Sequence, residues 1–164
     1  MKRTTRNTEM GRSFSFSGAG FLGSYHIGAS AALRAHGLLP SYTNKVAVSD
    51  VTLLGASAGA LVAASVFAGS RSEDLMDALC NVSASTSAQP LDALTPGFSL
   101  IDTLEPFLKN LLRAPQEEVL MRRVSGSLRI ALTAPNLSVL THRMRANRVI
   151  DEFVDVEHLA AACV

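Results

Sequence analysis

The sequence predicts an α/β fold with a mostly parallel central sheet, and three observations carry this prediction. Ser13 to Ser17 alternates polar and aromatic residues, as a strand does, and a glycine-rich loop and a helical stretch follow. Val51 to Leu54 is a short apolar run that leads through a tight turn into the apolar stretch Ala60 to Ala68. Two such units in succession favour parallel strands joined by helices. At 164 residues and 48% hydrophobic content, the chain is long enough for one domain with its own core.

The first unit carries the loop Gly18-Ala19-Gly20-Phe21-Leu22-Gly23, followed by a predicted helix from Ser24 to Leu33. A glycine-rich loop at the start of a helix offers backbone N–H groups to an anion. Its spacing also fits a dinucleotide-binding fingerprint, which requires an acidic residue about 20 positions further on. Because Tyr25 to Val48 contains no Asp or Glu, a nucleotide-binding module is the weaker alternative, and the oxyanion of an acyl-transfer intermediate is favoured.

The second unit carries Gly55-Ala56-Ser57-Ala58-Gly59 between its strand and its helix. A serine at the apex of a sharp strand-to-helix turn leaves no room for bulky neighbours, and this arrangement is typical of a nucleophile elbow. The uncharged run Val51 to Ser70 also has the length and the Gly-x-x-x-Gly spacing of a paired membrane helix. The clustered small residues in its middle and its β-branched start favour a buried strand and helix instead.

The rest of the chain is predicted to contain further helices, a loop and a hairpin. The predicted segments are a helix from Arg71 to Leu79 with acids in its first turn, a flexible Ser- and Ala-rich loop from Asn81 to Pro90, a helix from Ile101 to Leu112 with an apolar stripe, and strands Leu128 to Thr133 and Val139 to His142 around a Pro135-Asn136 turn. Residues 1–11 are expected to form a disordered leader.

Composition argues against several classes of function. The net charge of +1 and the absence of tryptophan give no reason to expect nucleic acid binding. Cys80 and Cys163 are too few for a disulfide framework, so both are expected to be reduced thiols in a cytoplasmic protein. No group of His, Cys, Asp and Glu has metal-ligand spacing, so no metal site and no cofactor are expected.

The two glycine motifs, in this order and spacing, resemble the patatin-like phospholipase family and, within it, the adipose triglyceride lipase branch. The resemblance runs through Ser15 to Gly23, Tyr25-His26-Ile27-Gly28 and Gly55 to Leu61, and extends over roughly Arg12 to the C-terminus. It implies a three-layer α/β/α fold in which residues 12–164 form the N-terminal part of the domain, incomplete at its C-terminus.

The resemblance also implies a Ser–Asp dyad that hydrolyses ester bonds of triacylglycerols, phospholipids or related acyl lipids without a cofactor. Ser57 would be the nucleophile, Gly55 and Gly59 would form the elbow, and the loop with Gly18, Gly20 and Gly23 would supply the oxyanion hole. A lipid-droplet or membrane surface is the further partner that it implies. The family's catalytic Asp lies in an Asp-Gly motif, and this sequence contains no Asp-Gly pair. The expectation is therefore a fragment that is weakly active or inactive by itself.

Two alternatives stay open. An α/β-hydrolase triad would combine Ser57 with one of three Asp and one of two His residues, namely Asp92, Asp102 or Asp151 with His142 or His158. A catalytically inactive lipid-binding or regulatory fragment would explain the missing motif equally directly. His26, which precedes the serine, is interpreted as a packing or polar-surface residue.

Overall fold

The structure of the chain is a computed structural model. The described residues are 11–41, 50–88, 117–135 and 145–163, with positions 102, 104, 106 and 109, and for 117–119, 133–135 and 145–147 the description is confined to the backbone. The predicted leader therefore lies almost wholly outside the described residues.

Both predicted strand-to-helix units are confirmed. The first consists of β1 (Arg12–Phe16), a short 3₁₀ helix (Gly20–Leu22) and α1 (Gly23–Ala35). The second consists of β2 (Val51–Gly55) and α2 (Ala58–Ala68). The remaining elements are α3 (Ser72–Ser87), α4 (Glu117–Val124), β3 (Leu128–Pro135), β4 (Arg145–Ile150) and α5 (Val156–Cys163).

The four described strands form one sheet in the order β1-β2-β3-β4. β1 pairs with β2, and β2 with β3, in parallel, whereas β4 runs antiparallel to β3. The predicted mostly parallel α/β fold is confirmed. Because Phe16 at the end of β1 lies opposite Gly55 at the end of β2, the glycine loop and the elbow leave the same edge of the sheet side by side.

The core lies between the sheet and α2. Phe16, Leu53 and Ile130 are buried on one face of the sheet, and α2 contacts all three parallel strands. Buried side chains follow one another without a break along most of α2, because it is covered by the sheet on one side and by α1, α4 and α5 on others. α2 is a helix of 11 residues. No helix in the described part of the chain is long and apolar enough to cross a bilayer.

Arg34 joins the two units at the end of α2 that lies opposite Ser57. Its Nη1 donates to the Ser70 carbonyl at 2.7 Å, and its Nη2 donates to the carbonyls of Ser65 and Val66 at 3.3 and 3.2 Å. The last carbonyls of a helix have no intrahelical donor and carry partial negative charge. A guanidinium from α1 therefore stabilises the end of α2 and fixes the two helices against each other.

The predicted loop from Asn81 to Pro90 is wrong over Asn81 to Ser87, which the structure shows as the second half of α3. Leu75, Ala78, Val82 and Thr86 are buried at helical spacing, and Thr86 Oγ1 donates to the Val82 carbonyl at 2.8 Å. The apolar stripe therefore continues through residues whose Ser- and Ala-rich composition indicated a loop. The acids Glu73 and Asp74 lie in the first turn of α3, as predicted.

The first strand of the predicted hairpin is confirmed, whereas Pro135, predicted to lie in the turn, is the last residue of β3. β3 covers the first predicted strand and pairs antiparallel with β4, from Ile130 opposite Ile150 to Pro135 opposite Arg145. The predicted second strand, Val139 to His142, lies outside the described residues. Of the predicted helix from Ile101 to Leu112, positions 102, 104, 106 and 109 are described and all four are helical.

Candidate active site

Ser57 lies at the junction of β2 and α2 in a strained backbone conformation. Its φ is 52° and its ψ is −129°, and it is the one non-glycine residue with positive φ in the described part of the chain. Such conformations are rare for residues with a side chain and cost on the order of 1–3 kcal/mol. Ser57 precedes α2 and is exposed, so its hydroxyl projects from a turn at the start of the helix.

The glycines on either side of Ser57 are required by space. A methyl group at Gly59 would lie 2.2 Å from the carbonyl oxygen of Phe16, and one at Gly55 would lie 2.5 Å from Ala60 Cα. Both distances are far inside van der Waals contact. The turn between β2 and α2 therefore fits directly against the end of β1 because neither glycine has a side chain.

The glycine loop lies beside Ser57. A methyl group at Gly18 would lie 3.7 Å from Ser57 Cβ, and one at Gly23 would lie 3.5 Å from Ala58 Cβ. The Ala56 N–H donates to the Phe16 carbonyl at 3.1 Å, which ties the elbow to the start of the loop. Gly20 has a φ of +51°, and a methyl group there would meet no neighbour within 4 Å. Glycine is therefore favoured at this position by the backbone conformation and not by a lack of space.

The start of α2 places the Ala58 N–H next to the serine, whereas the N–H groups of Gly59 and Ala60 donate to the carbonyls of Ala56 and Ser57. The first N–H groups of a helix point out of its N-terminus, where the helix dipole favours negative charge. Both α1 and α2 start at this edge of the sheet. Ala58, the first residue of α2, was not among the predicted site residues. The residue after an elbow serine commonly donates its N–H to the oxyanion, so its place in the motif was the available signal.

His26 connects α1 to the glycine loop. Its Nε2 lies 2.9 Å from the Ser17 carbonyl oxygen, and because a carbonyl only accepts, the ring must donate through Nε2–H. The ring also meets Phe16 edge-on, at 5.7 Å between ring centroids. Beyond the packing role predicted for it, His26 thus holds the residue that directly precedes the loop.

No base contacts the serine in the described part of the chain, where the Ser57 side chain makes no hydrogen bond to a carboxylate or an imidazole. Of the triad candidates, Asp92 and His142 lie outside the described residues. His158 belongs to the start of α5, where its Nδ1 accepts from the Val154 N–H at 3.4 Å and its backbone N–H donates to Asp155 at 2.7 Å.

Metal ligation finds no support in the same residues. No three His, Cys, Asp or Glu side chains of the described ranges lie close enough together to hold a metal ion. The buried thiol of Cys163 lies 3.8 Å from the Ala60 carbonyl oxygen, and burial raises the pKa of this thiol from 9.0 to about 12. Cys163 is therefore a neutral core residue, since a thiol acts as a nucleophile or a metal ligand only as the thiolate.

An exposed apolar patch adjoins the glycine loop. Phe21, Leu22 and Tyr25 are 42%, 74% and 77% exposed, and all three belong to the 3₁₀ helix or the first turn of α1. Large apolar side chains grouped at the rim of a site commonly mark an interaction surface. We refer to these three residues as the rim patch.

Comparison with known proteins gives relatives of one kind. Patatin-like phospholipase domain-containing protein 4 of Homo sapiens is 32% identical over 137 residues, which are 82% of this chain and 51% of the relative. Patatin-like phospholipase domain-containing protein 2 of Mus musculus is 36% identical over 120 residues, 73% of this chain and 22% of the relative. The human 1-acylglycerol-3-phosphate O-acyltransferase PNPLA3 is 30% identical over 148 residues, 90% of this chain and 29% of the relative.

The matches to these relatives extend over most of this chain but over only about half, or less, of each relative's length. No family model matches the chain. No solved structure matches it either.

Proposed function

We propose that this chain, which belongs to the patatin-like phospholipase family, forms the N-terminal part of a serine acyl hydrolase domain and carries its nucleophile and its oxyanion loop. The observation that carries the proposal is the approach of the glycine loop to a serine held at positive φ, with Gly18 in van der Waals reach of Ser57. The substrates proposed are esters of acylglycerols or phospholipids, in keeping with the names of the relatives.

In this proposal Ser57 Oγ attacks the ester carbonyl carbon. A bond forms between Oγ and that carbon, and the carbonyl electron pair moves to oxygen. The N–H groups of Ala58 and of the loop at Gly18 and Gly20 stabilise the oxyanion, as donors fixed before the reaction do in other acyl-transfer sites. The predicted donor at Gly23 is not free, because its N–H donates to the Gly20 carbonyl. The alcohol leaves with a proton and an acyl-serine remains. Water then releases the fatty acid and restores the hydroxyl.

The base that takes the serine proton is proposed to be an Asp outside these 164 residues, as the dyad of the family implies. A hydroxyl is a weak nucleophile until a neighbouring base accepts its proton. Losing one member of a catalytic unit costs several orders of magnitude in rate, while the oxyanion hole and binding leave some acceleration. The 164-residue chain is therefore proposed to be weakly active or inactive by itself.

Labelling with a fluorophosphonate tests the nucleophile. Ser57 Oγ would displace fluoride from phosphorus, and the adduct is located by peptide mass spectrometry. We expect slow labelling confined to Ser57, absent from Ser57→Ala and from the urea-unfolded chain. Labelling of other serines at the same rate, or none at Ser57 in excess probe, would reject the proposal.

The pH dependence of this labelling tests the base. Without a base in the chain, the logarithm of the rate should rise with pH without a plateau, because hydroxide removes the proton. A plateau above about pH 5 or about pH 7 would instead indicate a carboxylate or a histidine within the chain. His158→Ala and Asp151→Asn would then test the triad alternative directly.

A non-catalytic lipid-binding fragment is the second candidate, and it is favoured because no base contacts Ser57 among the described residues. The third relative is named as an acyltransferase. Transfer of an acyl group to a lipid acceptor would proceed through the same acyl-serine. Lipid binding without any Ser57 adduct would support the fragment. Transfer from the acyl-serine to an added lysophosphatidic acid, faster than to water, would support acyl transfer.

The rim patch is proposed to contact the lipid surface that presents the substrate. Leu22 and Tyr25 expose most of their surface beside the loop, and Tyr has the apolar body and polar tip that suit a lipid–water interface. A cytoplasmic protein that attaches to lipid droplets or membranes through this edge is the corresponding proposal for its location.

Flotation with triolein emulsions coated with phosphatidylcholine tests this contact. Leu22→Glu should lower the bound fraction severalfold, because a charge replaces apolar area at the interface. Val154, which is 83% exposed on the segment before α5, offers the matched control Val154→Glu. An equal loss of binding in both variants, or no loss in either, would show that the rim patch does not form the lipid contact.

A further inference from the structure

An apolar cavity of about 50 Å³ lies between α1, α2 and α3. α1 lines it with Gly23 and Ile27, and α2 lines it with Ala58 and Leu61. Every described lining residue is glycine, alanine, valine, leucine or isoleucine. A cavity lined in this way offers water no polar partners, so it favours an apolar ligand.

The cavity adjoins the candidate active site. Ala58 is the residue after Ser57, and Gly23 is the last residue of the glycine loop, so the cavity begins where the elbow and the loop meet. Ala58 and Gly23 are also in contact, since a methyl group at Gly23 would lie 3.5 Å from Ala58 Cβ. A group bound to Ser57 would therefore have the mouth of the cavity as its immediate neighbour.

The third wall of the cavity is α3. Leu75, Ala78 and Val82 line it, and the first and last of these positions are seven residues apart, or about 10 Å along the helix. Ala78 lies midway along this wall and is 4% exposed. Its methyl group leaves space where a larger side chain would close the cavity between its two ends.

From this geometry we infer that the cavity holds the first methylene groups of the acyl chain of the ester whose carbonyl lies at Ser57, and that Ala78 limits how far the chain extends into it. This inference rests on the proposed function and deepens it, because it assigns the acyl side of the substrate to the cavity between α1, α2 and α3. The alcohol or headgroup side then faces the open edge of the sheet, next to the rim patch. Substrates would then be selected by the length of the acyl chain that fits between α1, α2 and α3.

Alkyl fluorophosphonates of increasing chain length, from ethyl to dodecyl, test the inference. Each buried methylene should raise the rate constant for Ser57 labelling about fourfold until the cavity is filled. Ala78→Leu should lower this preference for longer probes at least tenfold, measured as the ratio of each probe's rate to the ethyl probe's rate in the same variant. Ala84, exposed on the same helix, gives the matched control Ala84→Leu, which should change neither rate.

A second variant keeps the test decisive if Ala78→Leu unfolds. Leu75→Ala removes side-chain volume from the cavity lining, so the probe length with the highest labelling rate should increase. A melting curve and the ethyl-probe rate show whether each variant is folded.

The outcomes separate the two proposals. Labelling of Ser57 by the ethyl probe, with chain-length dependence that neither variant changes, would overturn the acyl-chain site and leave the proposed nucleophile standing. Failure of every probe at Ser57 would overturn both. A shift in chain length in the expected direction in either folded variant supports the inference.

Discussion

The two strand-to-helix units share one topology but differ in how tightly their connecting turns are packed. In the second unit, methyl groups at Gly55 and Gly59 would lie 2.5 and 2.2 Å from neighbouring backbone atoms. In the first unit, a methyl group at Gly18 would be in ordinary contact, and one at Gly20 would have no neighbour within 4 Å. The serine turn is thus held rigidly by backbone, whereas the glycine loop is held by fewer contacts and is open to a ligand.

This difference assigns separate tasks to the two units. A nucleophile needs a fixed position, and dense packing supplies it through the buried α2. An oxyanion loop needs free N–H groups, and a loop whose donors were enclosed by packed side chains could not receive a substrate oxygen. Substitutions in the two units should therefore differ in size and in kind.

The largest effect is expected at Gly59. Gly59→Ala places a methyl group on the Phe16 carbonyl oxygen, so the elbow must move, and we expect a loss of about 3 kcal/mol or more in unfolding free energy. Gly28→Ala is the control, because Gly28 is exposed in α1 with space around it. That change should stabilise the chain by about 0.5–1 kcal/mol. Urea denaturation measures the change in unfolding free energy for both variants. Changes of the same sign would contradict the packing difference between the two units.

His26 tests the first unit through reactivity. His26→Ala removes the hydrogen bond to the Ser17 carbonyl, so the loop should lose its fixed position and Ser57 labelling should slow about tenfold, or about 1.4 kcal/mol. His26→Gln should restore most of the rate, since its amide can donate to the same carbonyl. His36→Ala, at the exposed C-terminal end of α1, is the control. Equal labelling in all three variants would show that the loop needs no such anchor.

The strain at Ser57 gives a smaller effect on stability. Ser57→Gly relieves the positive φ, whereas Ser57→Ala keeps it, so the glycine variant should be more stable than the alanine variant by about 1 kcal/mol. Neither variant should be labelled by a fluorophosphonate. Equal urea midpoints would mean that the turn relaxes once the hydroxyl is gone.

An effect confined to alkaline pH is expected from Cys163, which contacts α2 from α5. Its folded pKa of about 12 lies above the ordinary 9.0, so above about pH 9 the unfolded chain binds fewer protons than the folded chain. The contribution of the buried thiol is complete below that pH, and stability falls as pH rises from there towards 12, by at most about 1.4 kcal/mol per pH unit.

Cys163→Ala should flatten this part of the profile, and Cys80→Ala, at an exposed position, should leave it unchanged. Urea denaturation at a series of pH values from about 8 to about 11 measures the slope. An equally steep fall in the Cys163→Ala variant would assign the effect to another group.

Local sequence predicted the parts of the fold that depend on local chemistry. β1, β2, the start of α2 and the nearness of the loop to Ser57 follow from alternation, small residues at a turn and the parallel arrangement of neighbouring strands. The second half of α3 could not be predicted, because serine and alanine indicate a loop until the burial of Val82 and Thr86 is known.

The finer parts of the site depend on tertiary packing. The hydrogen bond of His26 joins residues nine positions apart, on α1 and on the segment after β1. The cavity requires three helices to meet, and no pattern within one helix indicates that Ala78 faces Ala58 across it. Ala58 is the exception, since its place after the serine was sufficient to suggest an N–H donor.

A crystal structure of the chain labelled by an ethyl fluorophosphonate tests the central claim most directly. The account predicts a phosphonyl group on Ser57 Oγ with its oxygen about 3 Å from backbone nitrogens of the Gly18 to Gly23 loop or of Ala58. An adduct whose oxygen points into solvent, more than about 6 Å from all of these nitrogens, would contradict it.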